Sequence, residues 1–420
     1  MGTSGQGLFI TNILMEVSQF LDVESTIHLS ETCRTLHEAL VDDPNSQNPK
    51  IKVSNFTLGD LSAVVLPKIH FPSLKRFEFR FPSGTNKSRS EARGGLRDLF
   101  MALTVQLKNM TNLEEFHMDV GLIMNFDAFN TCMTYDVFAK NLAKCTRLRR
   151  LKVFNQYVVP GLKNQSFYSP RFLRALLPAM TEREGQSSSL EEVTLLIGNR
   201  PIAAKEISNR SNDNAARDLF SSILRLQRLR EFNLQLNLAS SPLLNEFLIA
   251  CDDLHRRSGV LPSKSIEKCT LLSLLYKVPE GAINPLPAPL SLAPFLALFG
   301  KSSILNTVLV RVPSACWDSR SISELKNLVS AKPKLRHLGL FFNRYKCTTG
   351  ETVECILNYI QEREMYSDNI IHISGLEPYD GSRYDEEEAL DRYYSREGQK
   401  CLSWDANGLV FEARGYMIGW

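Results

Sequence analysis

The chain has 420 residues, of which 43% are hydrophobic and 23% are charged. This composition is typical of a folded protein and not of a disordered one, and the length suffices for two or three domains or one repeat array. The formal net charge of +3 is too small to indicate nucleic-acid binding by itself, although residues 377–420 hold ten acidic and five basic side chains.

The first residues, MGTSGQGLFITNIL, lack the basic segment and the uninterrupted apolar run of a secretory signal. Gln6 stands where the myristoylation pattern needs Ser or Thr. No stretch approaches the roughly 20 apolar residues of a membrane span. The nine cysteines form no CxxC pair, as expected in a reducing compartment. We therefore expect a cytoplasmic or nuclear protein that makes no contact with a membrane.

Residues 9–40, FITNILMEVSQFLDVESTIHLSETCRTLHEAL, have the spacing of three short helices. Asn12 can cap the first helix and Asp22 the second, while Cys33, Leu36 and Leu40 form an apolar ridge on the third. Three helices of this length bury little surface, so such a bundle usually needs a partner. The segment is either a handle for another protein or a helical cap of the structure that follows.

This segment resembles the F-box, the module by which substrate receptors dock on the Skp-family adaptor of cullin-RING ubiquitin ligases. The resemblance is carried in register by Ile13-Leu14, Val17, Leu21-Asp22, Ile27, Leu29-Ser30 and Cys33-Arg34. Phe9-Ile10 stand where the family has Leu-Pro. The resemblance implies an adaptor-binding face formed by Phe9, Ile10, Ile13, Leu14, Val17, Leu21, Ile27 and Leu29.

One short pattern recurs eight times in the rest of the chain, with apolar residues at its positions 1, 4 and 6. The copies are SLKRFEF, NLEEFHM, RLRRLKV, SLEEVTL, RLREFNL, SIEKCTL, ILNTVLV and KLRHLGL, and the second residue of each string is position 1: Leu74, Leu113, Leu148, Leu190, Leu229, Ile266, Leu305 and Leu335. A weak ninth copy lies at residues 370–373. The first positions are 30 to 42 residues apart, and each interval holds an amphipathic stretch with helical spacing. The pattern therefore predicts an α/β chain in which helix and strand alternate.

The LxxLxL pattern preceded by helices resembles a leucine-rich repeat, in a divergent form found after F-box segments. The units are longer than the usual 20 to 29 residues, and only Asn237 and Asn343 occupy the family's asparagine position. The resemblance implies an irregular solenoid, or horseshoe, with an inner parallel β-sheet and outer helices. The alternative is a doubly wound α/β domain, which requires near-continuous apolar strands and a Gly-rich turn.

Residues at pattern positions 3, 5 and 7 point away from the core of a parallel strand and should line one face of the sheet. On this face we select candidate substrate-binding residues: Arg76, Arg80, His117, Arg150, Lys152, Phe154 and Phe341. The two phenylalanines are included because a large ring facing water favours a partner. A basic cluster at residues 147–152 is either a phosphate-binding site or a solvated edge.

Catalytic motifs are missing from the sequence, including GxSxG, HExxH, the P-loop, GxGxxG and the kinase set. His117 between Glu115 and Asp119 is the one arrangement that hints at a metal or acid–base site. We therefore predict a protein that is not an enzyme and has no cofactor and no metal. An enzyme with an unrecognised site is the alternative.

The helix–strand alternation stops after residue 373. Residues 385–388 are acidic, and apolar residues alternate with polar ones from Leu409 to Ile418. This end is either a hairpin that caps the open sheet or a substrate-binding tail.

Together these features predict an N-terminal three-helix F-box-like bundle (1–48), a divergent leucine-rich-repeat array (49–373) and a C-terminal cap (374–420). The expected function is that of a substrate-recognition subunit of an SCF-type E3 ubiquitin ligase. Its expected partners are a Skp-family adaptor, through it a cullin-RING ligase, and an unknown protein substrate, but not nucleic acid. The alternative is a leucine-rich-repeat interaction scaffold that is not connected to ubiquitination.

Overall fold

The structure is a computed structural model. It describes residues 25–26, 29, 37–38, 40–42, 50–52, 54–58, 69–79, 102–119, 132–154, 170–180, 188–198, 214–237, 242–259, 261–274, 290–312, 316–331, 335 and 337–342. The chain divides into two compact units, Met1–Ile197 and Gly198–Trp420. This division falls inside the predicted repeat array.

The first unit contains an antiparallel pair and a parallel sheet. The pair is β1 (Val41–Asp42) and β2 (Lys50–Ile51). The parallel strands follow in chain order as β3 (Asn55–Leu58), β4 (Arg76–Phe79), β5 (Glu115–Asp119), β6 (Arg150–Phe154) and β7 (Glu192–Gly198). Its helices are residues 102–106 with the 3-10 turn Leu107–Asn109, then α1 (Cys132–Leu142) and α2 (Pro170–Met180), and a further 3-10 turn is Phe71–Ser73.

The second unit alternates helix and strand throughout its described part. The order is α3 (Asn214–Leu224), β8 (Glu231–Asn237), α4 (Pro242–Ser258), β9 (Lys268–Leu274), α5 (Ala293–Gly300), β10 (Thr307–Val312), α6 (Ser319–Ala331) and β11 (His337–Phe342). Strands β8 to β11 are parallel and are neighbours in chain order.

All eight copies of the pattern form strands, and their apolar residues form the core. Every pattern residue whose side chain is described is at most 3% exposed. Position 4 of each copy pairs with position 4 of the next: Phe77, Phe116, Leu151 and Val193 in the first unit, and Phe232, Cys269, Val308 and Leu338 in the second. Because alternate residues of a strand point to opposite faces, the apolar side chains at positions 4 and 6 lie on the same face, and this face is buried.

Aromatic side chains fill the space between sheet and helices. In the first unit, the rings of Phe77 and Phe116 stack with centroids 6.0 Å apart, and Phe116 contacts Phe138 of α1 at 6.2 Å. In the second unit, Phe247 of α4 contacts Phe232 of β8 at 5.6 Å and Phe220 of α3 at 5.4 Å. These contacts join α1 to β5 and α4 to β8.

Serine side chains connect neighbouring copies of the pattern through backbone oxygens. Ser263 Oγ donates to the carbonyl of Leu229 at 2.6 Å, and Ser302 Oγ donates to the carbonyl of Ile266 at 2.7 Å. Both accepting residues are position 1 of the preceding copy. Ser263 and Ser302 are themselves buried, so these bonds satisfy polar groups inside the core.

Within each unit the helices pack on one another in succession. Helix α1 contacts α2 in the first unit, and in the second unit α3 contacts α4, α4 contacts α5 and α5 contacts α6. Crossover connections between parallel strands are right-handed, and the order of the described strands never reverses within a unit. These helices therefore lie on the same face of the sheet. A doubly wound domain needs a reversal of strand order. Each unit is therefore an α/β structure with an open parallel sheet, which confirms the fold class at this level.

Three local features differ from the predictions. Strand β3 was not predicted, although Val53, Phe56 and Leu58 have the 1, 4, 6 spacing, because this copy begins only 21 residues before the next. The antiparallel pair β1–β2 was not predicted either. The helical spacing of Val137, Phe138 and Leu142 predicts that all three are buried, but in α1 Val137 is 41% exposed and Tyr135 is buried instead. The weak copy at residues 370–373, the last predicted helix and the C-terminal cap lie outside the described residues.

Candidate interaction face

The side of each sheet opposite the helices, here called the sheet face, carries pattern positions 3 and 5. In the first unit the strand register places each of these positions beside its equivalents on the next strand. The position-3 row is Arg76, Glu115, Arg150 and Glu192, and the position-5 row is Glu78, His117, Lys152 and Thr194. The predicted residues Arg76, His117, Arg150 and Lys152 are thereby brought onto three adjacent strands.

Ion pairs join the position-3 row from strand to strand. Arg76 Nε lies 3.7 Å from Glu115 Oε2, and Arg150 Nη1 lies 2.7 Å from Glu115 Oε1. Arg150 Nε continues the row to Glu192 Oε1 at 2.9 Å. The charges of this row therefore balance one another, so it presents little net charge to a partner.

Two arginines of the basic cluster at residues 147–152 are paired with carboxylates of neighbouring copies. Arg149 donates to both oxygens of Glu191, at 3.0 Å from Nε and 2.8 Å from Nη2, and these hydrogen bonds raise the pKa of Arg149 further. Arg147 Nη1 donates to Asn112 Oδ1 at 2.7 Å. Because Arg150 also binds two carboxylates, this cluster has the geometry of paired charges and not of a phosphate-binding site.

The sheet face is not uniformly open to solvent in the first unit. Glu78 is only 5% exposed, although its position on β4 points away from the apolar core. Arg76 Nη2 lies 3.4 Å from Glu78 Oε2. His117 lies beside Glu78 on the next strand. Burial lowers the pKa of His117, and the positive charge of Arg76 lowers it further. The expectation of a fully exposed face is therefore wrong at Glu78.

His117 does not belong to a metal site in the described part of the chain. Its Nε2 lies 3.9 Å from Glu115 Oε2. Among the described residues, no group of three His, Cys, Asp or Glu side chains is arranged to hold a metal ion. The cysteines whose side chains are described, Cys145, Cys251, Cys269 and Cys316, are buried, and burial raises the pKa of Cys145 to about 12.

In the second unit the sheet face is less charged. Lys268 Nζ lies 2.9 Å from Glu231 Oε1, which pairs the two charges at position 3 of β8 and β9. At position 5, Asn233, Thr270 and Leu309 are uncharged and partly exposed. Gln235 Nε2 lies 3.4 Å from Asn233 Oδ1. This face therefore offers amide, hydroxyl and apolar groups.

The remaining predicted site residues fall mostly outside the described set. Phe154 and Phe341 belong to the backbones of β6 and β11, but their side chains are not described, and Arg80 is outside the set altogether. Of the predicted adaptor face, Leu29 is described as helical and partly exposed. The other members, Phe9, Ile10, Ile13, Leu14, Val17, Leu21 and Ile27, lie outside the described residues.

Position 2 of the pattern, just before each strand, carries further ion pairs that the prediction had not included. Its residues alternate in sign from copy to copy in the first unit: Lys75, Glu114, Arg149 and Glu191. In the second unit Arg230 Nη2 lies 2.6 Å from Glu267 Oε1. The alternation of sign at equivalent positions was the signal in the sequence that could have predicted these pairs.

Comparison with protein-family models and with curated proteins finds no match to this chain. Among the described residues, no helix combines the length and the apolar character needed to cross a membrane.

Proposed function

We propose that this protein recognises a protein substrate for an SCF-type E3 ubiquitin ligase. The observation that supports it is the one-sided arrangement of each unit. Helices cover one face of the parallel sheet, and the other face carries polar side chains aligned in rows across neighbouring strands. A broad, aligned surface of this kind suits a protein partner better than a small molecule, which needs a concave pocket.

The solenoid is part of the proposal. Strand order follows chain order in both units, and the buried positions repeat from copy to copy. Repeats of this type stack so that each unit contacts mainly its neighbours, which exposes one long surface. Leucine-rich repeats use that surface to bind proteins, and we assign the sheet face the same role here.

The connection to ubiquitination depends on the F-box-like residues 9–40. An apolar helical face exposed at this end would bind the Skp-family adaptor, while the sheet face holds the substrate. Neither part needs a reacting group, so we propose no catalytic residue. The cullin would come with the adaptor.

The test is binding of a purified Skp-family adaptor to the full chain. Leu14→Asp with Leu21→Asp should abolish binding, because two charges would be placed in an apolar interface. Ser18→Asp with Gln19→Asp adds the same charge at polar positions of the same segment and should bind normally. Circular dichroism should show both variants folded. Normal binding by the leucine variant would contradict the assigned face, and no binding by the unmodified chain would contradict the ligase function.

A second candidate is an interaction scaffold whose N-terminal helices only cap the sheet. The observation that favours it is the complete burial of Thr26, within the helical part of that segment. A segment that packs on its own chain can be a cap as well as a docking module. Affinity purification with mass spectrometry separates the two functions, because a scaffold would recover partners without adaptor or cullin.

A further inference from the structure

Exposed basic residues lie where the helices of the second unit end. Arg225 and Arg228 follow α3, Arg256 and Arg257 occupy the last turn of α4, and Lys301 follows α5. Lys264 lies in the turn before β9. All six are exposed, and the described residues of the turns at 225–228, 259–264 and 301–304 include no acidic side chain.

The topology of the second unit brings these residues to one edge of the sheet. A helix between two parallel strands must return the chain to the edge where the strands begin, so successive helices end at that same edge. Arg225 and Arg257 line one hollow between α3 and α4, together with Asp253. Lys301 Nζ would be 3.4 Å from a Cβ atom built on Gly259, just after α4. We call Arg225, Arg228, Arg257, Lys264 and Lys301 the basic edge.

The basic-edge side chains differ from other cations of this unit because they form no ion pair with a described acidic side chain, although Asp253 lies in the same hollow as Arg225 and Arg257. Arg217 pairs with Glu246 at 2.7 Å, Arg230 with Glu267 at 2.6 Å and Lys268 with Glu231 at 2.9 Å. Arg256 pairs with Asp252. Among the described residues, none of the five basic-edge side chains makes a hydrogen bond or an ion pair. The helix dipole favours a cation at each helix end but leaves its charge unbalanced toward solvent.

We propose that the basic edge binds an acidic segment of a partner protein. Packed helices lie about 8–10 Å apart, and an extended peptide advances about 3.3 Å per residue, so carboxylates roughly three residues apart would reach successive helix ends. Arginine binds carboxylates through two parallel hydrogen bonds, which suits Arg225, Arg228 and Arg257. This surface is separate from the sheet face, and binding there does not require the adaptor.

A protein is favoured over nucleic acid by two observations. Asp253 lies in the same hollow as Arg225 and Arg257, where it would repel a backbone with a charge on every nucleotide. A peptide can place a neutral residue at that point. The large exposed apolar side chains of the described part are Val105, Val137 and Leu290, so no exposed aromatic ring offers a stacking platform for bases there.

The experiment is fluorescence anisotropy with the full chain and a labelled peptide of repeated Asp-Gly-Glu units. A peptide of repeated Asn-Gly-Gln units is the neutral probe, and a labelled single-stranded oligonucleotide is the nucleic-acid probe. Arg225→Gln with Arg257→Gln removes two charges from the basic edge. Arg174→Gln with Arg320→Gln is the matched control, because both arginines are exposed and neither belongs to the basic edge; Arg320 lies at the start of α6.

We expect the chain to bind the acidic peptide and not the neutral peptide. Its affinity for the acidic peptide should fall as the salt concentration increases. The edge variant should bind about 5- to 30-fold more weakly, which corresponds to two exposed ion pairs, and the control should change less than about twofold. Circular dichroism should show both variants folded. Equal weakening in both variants, equal binding of the neutral peptide, or tighter binding of the oligonucleotide would each overturn the proposal.

Discussion

Arg150 and Glu115 form an ion pair across two neighbouring strands, with Arg150 Nη1 at 2.7 Å from Glu115 Oε1. The same guanidinium reaches Glu192 on the strand at its other side, at 2.9 Å. One arginine thus links β5, β6 and β7 through side chains, in addition to the backbone ladder. The side chain is 50% exposed, so solvent weakens each pair.

Arg150→Gln should lower the free energy of unfolding by about 0.5–2 kcal/mol, because two exposed ion pairs are lost. Urea titration at low salt measures it, and the loss should shrink in about 1 M NaCl, where charges are screened. Arg174→Gln is the control, since Arg174 is also exposed and has no ion pair among the described residues. A loss that is the same at both salt concentrations would show that the pairs are not its cause.

Phe247→Ala should lower the free energy of unfolding by about 3–5 kcal/mol, because the ring lies among Phe220, Phe232 and Phe295 and its removal leaves a cavity. Phe247→Leu keeps part of the side-chain volume, so its free energy of unfolding should fall by roughly half as much. Urea titration of both variants checks the order. Equal losses would indicate that the aromatic cluster rearranges to fill the space.

Asp318→Ala should lower the free energy of unfolding by about 1–2 kcal/mol, because Asp318 caps α6. Asp318 Oδ1 accepts the backbone N–H of Ser321 at 2.8 Å and the hydroxyl of Ser291 at 2.9 Å. Asp318→Asn keeps an oxygen acceptor, so its free energy of unfolding should fall by less. Thermal unfolding of the three proteins compares them, and an alanine variant as stable as the asparagine variant would contradict the cap.

The cap should also depend on pH. Burial acts to raise the pKa of Asp318, but hydrogen bonds from Ser321 and Ser291 outweigh it and lower the pKa below 3.8. The stabilisation is therefore fully present above pH 3.8 and is lost as the pH falls through the lower pKa of the folded state. The difference in free energy of unfolding between the unmodified protein and Asp318→Asn should therefore decrease as the pH falls below 3.8. A difference that stays constant below pH 3.8 would contradict this role of the Asp318 carboxylate.

His117 should make the protein less stable as the pH falls below 6.5. Its pKa is lowered in the folded state by burial and by Arg76, with opposing effects from Glu78 and Glu115 and a further lowering by Lys152. The unfolded chain therefore binds the proton first, so stability falls as pH decreases from 6.5 toward the folded pKa. His117→Asn should flatten this dependence in urea titrations. An NMR titration of the imidazole that gives a pKa above 6.5 would contradict the assigned cause.

The strands and their buried positions were predictable because the signal is local. Leu190, Val193 and Leu195 lie within six residues, and a period of two is enough to assign one face to the core. The ion pairs were not predicted, although charges alternate in sign at equivalent positions of successive copies: Arg150 and Glu115 are 35 residues apart, and Arg149 and Glu191 are 42 apart. Their meeting depends on the lateral register of neighbouring strands, which the spacing within one copy does not set.

The sequence by itself determined the order of helix and strand, the class of the fold and which side chains are buried. Those properties follow from the spacing of apolar residues along a single element, since burial is decided by which face an element presents. Only the tertiary structure decided that β3 joins the sheet, that Glu78 is buried and that Arg150 binds two carboxylates. Each of these depends on the position of one strand beside another, because charges and hydrogen bonds act over a few ångströms in space regardless of distance along the chain.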